Sequence, residues 1–193
     1  MKKAFVYLLF FVANFAIAQT SVLDYYNAKV KAMKQTDMNG GGFKLTLTKQ
    51  DIKNGFLAYN YSPALGYMIG VLESPEEMAY FVSKNGKKFV ATSVLFKENF
   101  TGSVSWSGEL PKFYELQKGN LTEKTEQYFP KESSAKILEE LSKEGKSIYT
   151  KLPQTGTTIQ IGMIDKKIGI SSFQAFYQLI FDINSGLFKV EKI

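Results

Sequence analysis

Tyr80-Phe81-Val82-Ser83-Lys84-Asn85-Gly86-Lys87-Lys88-Phe89-Val90-Ala91-Thr92-Ser93-Val94 decides how this chain is read. Two runs rich in aromatic and β-branched residues flank Asn85-Gly86, and Asn-Gly supplies the positive φ angles that a tight hairpin turn requires. The stretch predicts two antiparallel strands. The same device recurs on both sides of it. Upstream, Lys53-Asn54-Gly55 separates Phe43-Lys44-Leu45-Thr46-Leu47-Thr48 from Phe56-Leu57-Ala58-Tyr59-Asn60-Tyr61. Phe43, Leu45 and Leu47 alternate with polar residues, so one face of that strand is buried. Downstream, Lys112-Phe113-Tyr114-Glu115-Leu116 runs into Lys118-Gly119. Nearer the C-terminus, Gln178-Leu179-Ile180-Phe181-Asp182 and Leu187-Phe188-Lys189-Val190 flank Ser185-Gly186. Ile159, Ile161 and Met163 alternate in a further strand.

Two helical segments interrupt the strands. Ser21-Val22-Leu23-Asp24 has the spacing of a cap with an acidic residue three positions on, and Val22, Tyr26, Val30 and Met33 fall on one helical face. Gly40-Gly41-Gly42 follows it. The second helix is expected near residues 133–145, with Ser133 or Ser134 as its cap, Ile137, Leu138 and Leu141 as its apolar face and Gly145 as its stop. The predicted fold class is α+β: antiparallel sheet built from consecutive hairpins, an N-terminal helix and one further helix. The spacing of Gly55, Gly86 and Gly119 also suggests a repeat, but it is short for propeller blades.

The first residues have a different character. Met1-Lys2-Lys3 precedes a mainly apolar stretch over residues 4–15, and Ala16-Ile17-Ala18 supplies the small-residue pattern of a cleavage site. These are the three parts of an export signal, so residues 1–18 are expected to be a signal peptide and residues 19–193 a single domain. An uncleaved anchor is the alternative, although spanning usually needs about 20 apolar residues. The expected location is the periplasm or the exterior, with no membrane insertion after cleavage. Gln19 stands where a lipoprotein would need a cysteine.

Composition narrows the chemistry. The chain has no histidine and no cysteine, and all 24 basic residues are lysine. Ser-His-Asp and Cys-His machinery are therefore excluded, the usual zinc and haem ligand sets are missing, and no cofactor is expected. Dispersed lysine without arginine is a poor footprint for nucleic acid. Carboxylates remain for catalysis, and Glu73, Glu76, Glu77, Glu98 and Glu109 lie in the strand-rich centre. Two of them would have to face one another roughly 5 to 9 Å apart to hydrolyse a glycoside.

Two short motifs have ordinary explanations. Leu152-Pro153-Gln154-Thr155-Gly156 has the form of a sortase signal, yet a strand-like alternation follows it in place of an apolar span. Ser133-Ser134-Ala135-Lys136 has the S-x-x-K spacing of penicillin-interacting enzymes but lacks their companion motifs. The residues chosen for ligand stacking are Tyr59, Tyr61, Tyr114 and Trp106, the last within Gly102-Ser103-Val104-Ser105-Trp106-Ser107-Gly108. The leading expectation is an exported, non-catalytic module that binds an extracytoplasmic protein or glycan. A small carboxylate-dependent glycan hydrolase and a structural subunit pairing through exposed strand edges are the alternatives.

Overall fold

Turn chemistry places the strands. A computed structural model describes residues 20–36, 42–63, 74–98, 104–106, 108–142 and 145–193. The leader, the break at residues 39–41 and Glu73 lie outside the described residues. Strands β1 (Phe43–Asp51), β2 (Phe56–Pro63), β3 (Ser74–Val82), β4 (Lys88–Val94), β7 (Lys112–Gln117) and β8 (Asn120–Glu123) form a six-stranded sheet in the order β1-β2-β3-β4-β7-β8. Between β4 and β7, the chain makes a separate hairpin from β5 (Phe96–Glu98) and β6 (Val104–Trp106). Strands β9 (Lys146–Lys151), β10 (Thr158–Asp165), β11 (Gly169–Asp182) and β12 (Leu187–Lys192) form a second sheet in the order β12-β11-β10-β9. All these pairings are antiparallel. The α+β class predicted from hairpin spacing is the observed one. The glycine spacing reflects hairpins within these sheets, not propeller blades.

Individual turns differ in how they reverse the chain. At Lys118 (φ +50°) and Gly119 (φ +78°) both central residues are left-handed, as a two-residue hairpin demands. Lys53-Asn54-Gly55 is different. Residues Ile52–Asn54 form a 3-10 turn, Asp51 Oδ1 accepts from the Asn54 N–H at 3.2 Å, and Gly55 ends it at φ +72°.

Three layers result. Helix α1 (Val22–Thr36) covers one face of the six-stranded sheet through Val22, Tyr25 and Tyr26, which pack on Leu57, Tyr59, Met78 and Val90. Asp24 Oδ2 accepts from the Ser21 N–H at 2.7 Å and from the Ser21 hydroxyl at 3.2 Å, the acidic half of the cap the sequence predicted. Tyr25 also belongs to the buried face, while Val30 and Met33 are only half-buried. The other face of the sheet packs on the second sheet. Phe81, Phe89 and Phe113 meet Phe181 and Phe188 with ring centroids 5.1 to 6.0 Å apart. Each such ring removed from water contributes about 2 kcal/mol before its packing geometry is counted. Tyr128, from the short helix α2 (Thr125–Tyr128), stacks on Phe89 at 3.8 Å and donates its hydroxyl proton to Glu115 Oε1 at 2.7 Å.

Helix α3 (Lys131–Leu141) begins earlier than expected. Pro130 occupies the N-cap position, so neither Ser133 nor Ser134 caps it; the Ser134 hydroxyl donates back to Lys131 O at 2.8 Å. It ends before Gly145, at Ser142, whose hydroxyl donates to Leu138 O at 2.6 Å. Ile137 and Leu141 are buried as its spacing predicted, whereas Leu138 is exposed. No helix among the described residues is long and apolar enough to cross a membrane.

Candidate functional site

Period-two alternation assigns the chosen tyrosines to a face. Leu45 pairs with Tyr61 and Leu47 with Tyr59, so these residues share the α1 side of the six-stranded sheet. Tyr114 is opposite Val90 on that side, but β3 and β4 stand between it and β2, placing its backbone roughly 14 Å away at ordinary strand spacing.

Tyr59 is fully buried. Its hydroxyl donates to Glu76 Oε2 at 2.9 Å and accepts from Lys29 Nζ at 2.9 Å, while Lys29 also pairs directly with Glu76. The Tyr26 ring meets it edge-on at 5.2 Å, and Lys29 Nζ lies 5.2 Å from its ring centroid. Burial, then the Glu76 charge, holds its hydroxyl well above the ordinary tyrosine range. Tyr59 therefore offers no ring face to a ligand. It fastens α1 to the sheet.

Tyr61 and Tyr114 are half-buried. Tyr61 sits 6.3 Å from the Phe43 ring, at the sheet end where burial along α1 has declined. Phe43, Leu45 and Leu47 beside it are half-exposed, giving an aromatic and aliphatic strip along β1 and β2. Burial pushes the Tyr114 hydroxyl up to about 12, with Glu123, Glu76 and Glu109 adding to the effect. Trp106 is elsewhere. In β6 it stands opposite Phe96 of β5, in a hairpin whose backbone lies against β3 and β9. Among the described residues β6 pairs only with β5, consistent with an edge strand.

The carboxylates divide in the same way. Glu76 and Glu77 are consecutive in β3 and so point to opposite faces. Glu76 turns towards α1, and Glu77 turns towards the second sheet, where it accepts from the Leu152 N–H and has one buried oxygen, Oε2, without a partner among the described residues. Burial raises its carboxyl from 4.5 to about 7, against the opposing pull of Leu152, Lys49 and Lys151. Because the folded state holds this proton more tightly, the unfolded state ionises first. Glu77 thus costs no stability below about pH 4.5, and stability falls as pH rises through about 7. Urea unfolding from pH 4.5 to 8 should show this decline, and Glu77→Gln should flatten it. An unchanged slope would remove Glu77 as its source.

Glu109 and Glu123 do share a cleft, of about 430 Å³, whose walls include Leu110, Phe129 and Leu138. Both carboxylates are exposed. Glu109 is 4.0 Å from Lys112 Nζ, and Glu123 Oε1 accepts from the Thr125 hydroxyl at 2.8 Å. Sequence reasoning did not single out Glu123. The only signal was its place after a hairpin turn, which surface carboxylates commonly occupy. The Glu98 side chain lies outside the described atoms. The sortase-like motif forms the loop between β9 and β10; Leu152 is buried and the span after Gly156 is strand β10. Among the described residues, no cluster of three or more acidic side chains is placed to hold a metal ion.

Comparison with protein-family models, with curated proteins and with solved structures found no match to this chain.

Proposed function

We propose that the protein is an exported, non-catalytic binding module whose contact surface is the strip formed by Phe43, Leu45, Leu47 and Tyr61. The observation that carries this reading is uneven coverage of one sheet face: Leu57, Tyr59 and Met78 are sealed by α1, whereas these four side chains remain half-exposed. Aromatic and aliphatic side chains on a rigid sheet supply contact area with little ordering cost, for a sugar ring or an apolar partner segment. The export signal read in residues 1–18 and the absence of histidine and cysteine from the chain support the same reading.

Binding is tested with immobilised protein against arrays of soluble glycans and of extracytoplasmic proteins. Tyr61→Ala and Phe43→Ala are each expected to weaken a captured interaction by at least ten-fold while leaving the thermal midpoint within about 3 °C, as suits half-exposed positions. Retained affinity in both variants would move the contact surface off this strip.

The Glu109 and Glu123 cleft favours a second reading, glycan hydrolysis. Against it, neither carboxylate is desolvated, and a general acid needs surroundings that keep it protonated near neutral pH. Turnover of a glycan abolished by Glu109→Gln and Glu123→Gln would put the enzyme reading first.

A further inference from the structure

Asn-Gly makes tight turns, and it also carries chemistry of its own. Glycine has no Cβ to obstruct its N–H, so that nitrogen can close a five-membered ring on the amide carbon of the asparagine before it. Two such pairs fall within the described residues, Asn54-Gly55 and Asn85-Gly86, and the fold gives them opposite surroundings. Asn39-Gly40 lies outside the described residues.

Asn85 Oδ1 accepts from the Ser83 hydroxyl and, at 3.4 Å, from the Lys87 N–H. These donors draw electrons from Cγ and face the charge that collects on Oδ1 when Cγ is attacked. Asn85 and Gly86 are both exposed, so hydroxide reaches the Gly86 N–H, whose one bond to break is that to Ser83 O at 3.1 Å. Nothing stands within 4 Å of a Cβ built at Gly86, which leaves the turn room to deform. Asn54 has the opposite setting. Its Nδ2 donates to Asp51 Oδ2 at 2.8 Å and its N–H to Asp51 Oδ1 at 3.2 Å, placing an ionised carboxylate beside the carbon to be attacked. Among the described residues nothing donates to Asn54 Oδ1. Gly55 is buried, with Tyr80 Cβ and Tyr80 O at 3.2 and 3.3 Å from its Cβ position.

We propose that Asn85 is a self-modifying site, at which the Gly86 nitrogen attacks Asn85 Cγ, ammonia leaves, and water opens the resulting succinimide to an isoaspartyl or aspartyl residue. Hydroxide takes the Gly86 proton, the N–Cγ bond forms, and the Cγ–Nδ2 bond breaks as water protonates the departing nitrogen. The net change is one water consumed and one ammonia released. Conversion also undoes a clasp. Asn85 Nδ2 donates to Ser185 O at 3.2 Å, beside the Lys84 N–H bond to Ile183 O at 2.7 Å, and the two tie the β3–β4 turn of one sheet to the β11–β12 turn of the other. A carboxylate cannot donate to Ser185 O, leaving Lys87 Nζ, at 3.4 Å, as the remaining side-chain donor to that carbonyl. The isoaspartyl product further lengthens the main chain of the turn by a methylene group. The modification therefore loosens the joint between the two sheets at this end, in one direction only, and it uses no residue of the strip or the cleft.

The test incubates the full-length protein at mildly alkaline pH and follows the peptides carrying Asn39, Asn54 and Asn85 separately, by mass for amide loss and by isoaspartyl content. Asn85 is expected to convert at least about ten-fold faster than Asn54 in the folded protein, and the two rates should converge in urea, where neither setting survives. Both isoaspartyl and aspartyl products are expected at position 85, because the ring opens at either carbonyl. Ser83→Ala removes one donor to Oδ1 and should slow the folded rate at Asn85 by roughly five- to ten-fold. An unchanged Asn54 rate in the same molecules shows that the fold is kept. Gly86→Ala, whose methyl group obstructs the attacking nitrogen, should slow Asn85 in the folded protein and in urea alike. Asn85→Asp reads the consequence directly: hydrogen exchange at the Lys84 N–H should quicken by about five-fold. A folded rate at Asn85 no greater than at Asn54, aspartyl as the sole product, or a Ser83→Ala rate equal to the parent's would overturn the proposal. Unchanged exchange at Lys84 in Asn85→Asp would overturn the clasp.

Discussion

Gly162→Ala is expected to lower the thermal midpoint by roughly 10 °C, because the added methyl group has no space to occupy. A Cβ at Gly162 would stand 2.0 Å from Gln174 O, 2.7 Å from Gln174 C and 2.8 Å from Ala175 Cα, all backbone atoms of β11. Gly162 is not among the glycines with positive φ, so its role is proximity rather than dihedral freedom. The β10–β11 register slips between Ile161 and Gly162, and this close approach accompanies the bulge. Relieving the clash requires β11 to move, and β11 carries Tyr177, Leu179 and Phe181 into the core between the sheets. The cost is about 3 kcal/mol or more by comparison with other overpacked cores. Gly86→Ala is the control: nothing lies within 4 Å of its Cβ position, leaving only a left-handed φ of +85° to charge about 1 kcal/mol. Differential scanning calorimetry of the two variants separates steric from dihedral cost. A Gly162→Ala midpoint within 3 °C of the parent would mean that the sheet yields at this bulge.

The second large effect is expected at the ion pair beneath α1. Lys29→Met leaves the Glu76 carboxylate, whose side chain is 11% exposed, with Tyr59 as its remaining donor. Removing one member of a buried pair usually costs 3–5 kcal/mol; with the Lys29 side chain 23% exposed, roughly 2–3 kcal/mol is expected here. Glu76→Gln should cost less, because the amide oxygen still accepts from Tyr59. The double variant Lys29→Met with Glu76→Met tests the logic, since it removes both desolvated charges and should recover much of the loss. Urea unfolding of the parent, Lys29→Met, Glu76→Met and the double variant closes the cycle. If the single and double variants lose equal stability, side-chain packing rather than charge pairing is the origin.

Sequence was most informative where a local rule had no competitor. Asn85-Gly86, Lys118-Gly119 and Ser185-Gly186 each mark a hairpin, because left-handed dihedrals there admit few other residues. Lys53-Asn54-Gly55 was readable as a reversal but not as a 3-10 turn, which depends on Asp51 accepting from Asn54. The first half of β11 was not legible: Gly169 to Gln174 lacks alternation, and its pairing with β10 is irregular in two places. Period-two alternation puts Tyr59 and Tyr61 on one side of a strand but carries no sign of how far α1 extends over that side. Tyr59 and Tyr61 are two residues apart and equivalent in pattern; one is sealed and the other is not. The separation of Glu76 from Glu77 was available from alternation alone. The depth of Glu77 was not, because the second sheet that buries it is assembled from residues about 70 to 110 positions later.

The same delay would bear on delivery if the chain is exported as proposed. Phe81, Phe89 and Phe113 lie on strands complete by residue 117, whereas Phe181 and Phe188, which close over them, come last. A chain threaded from its N-terminus through a translocation pore can assemble α1 and the first sheet while the closing hairpin is still inside. Until that hairpin emerges, an aromatic surface meant for the interior faces water. Under the export proposed above, the half-delivered molecule would be an adhesive one, and the speed of its last 25 residues through the pore would govern how long it remained so.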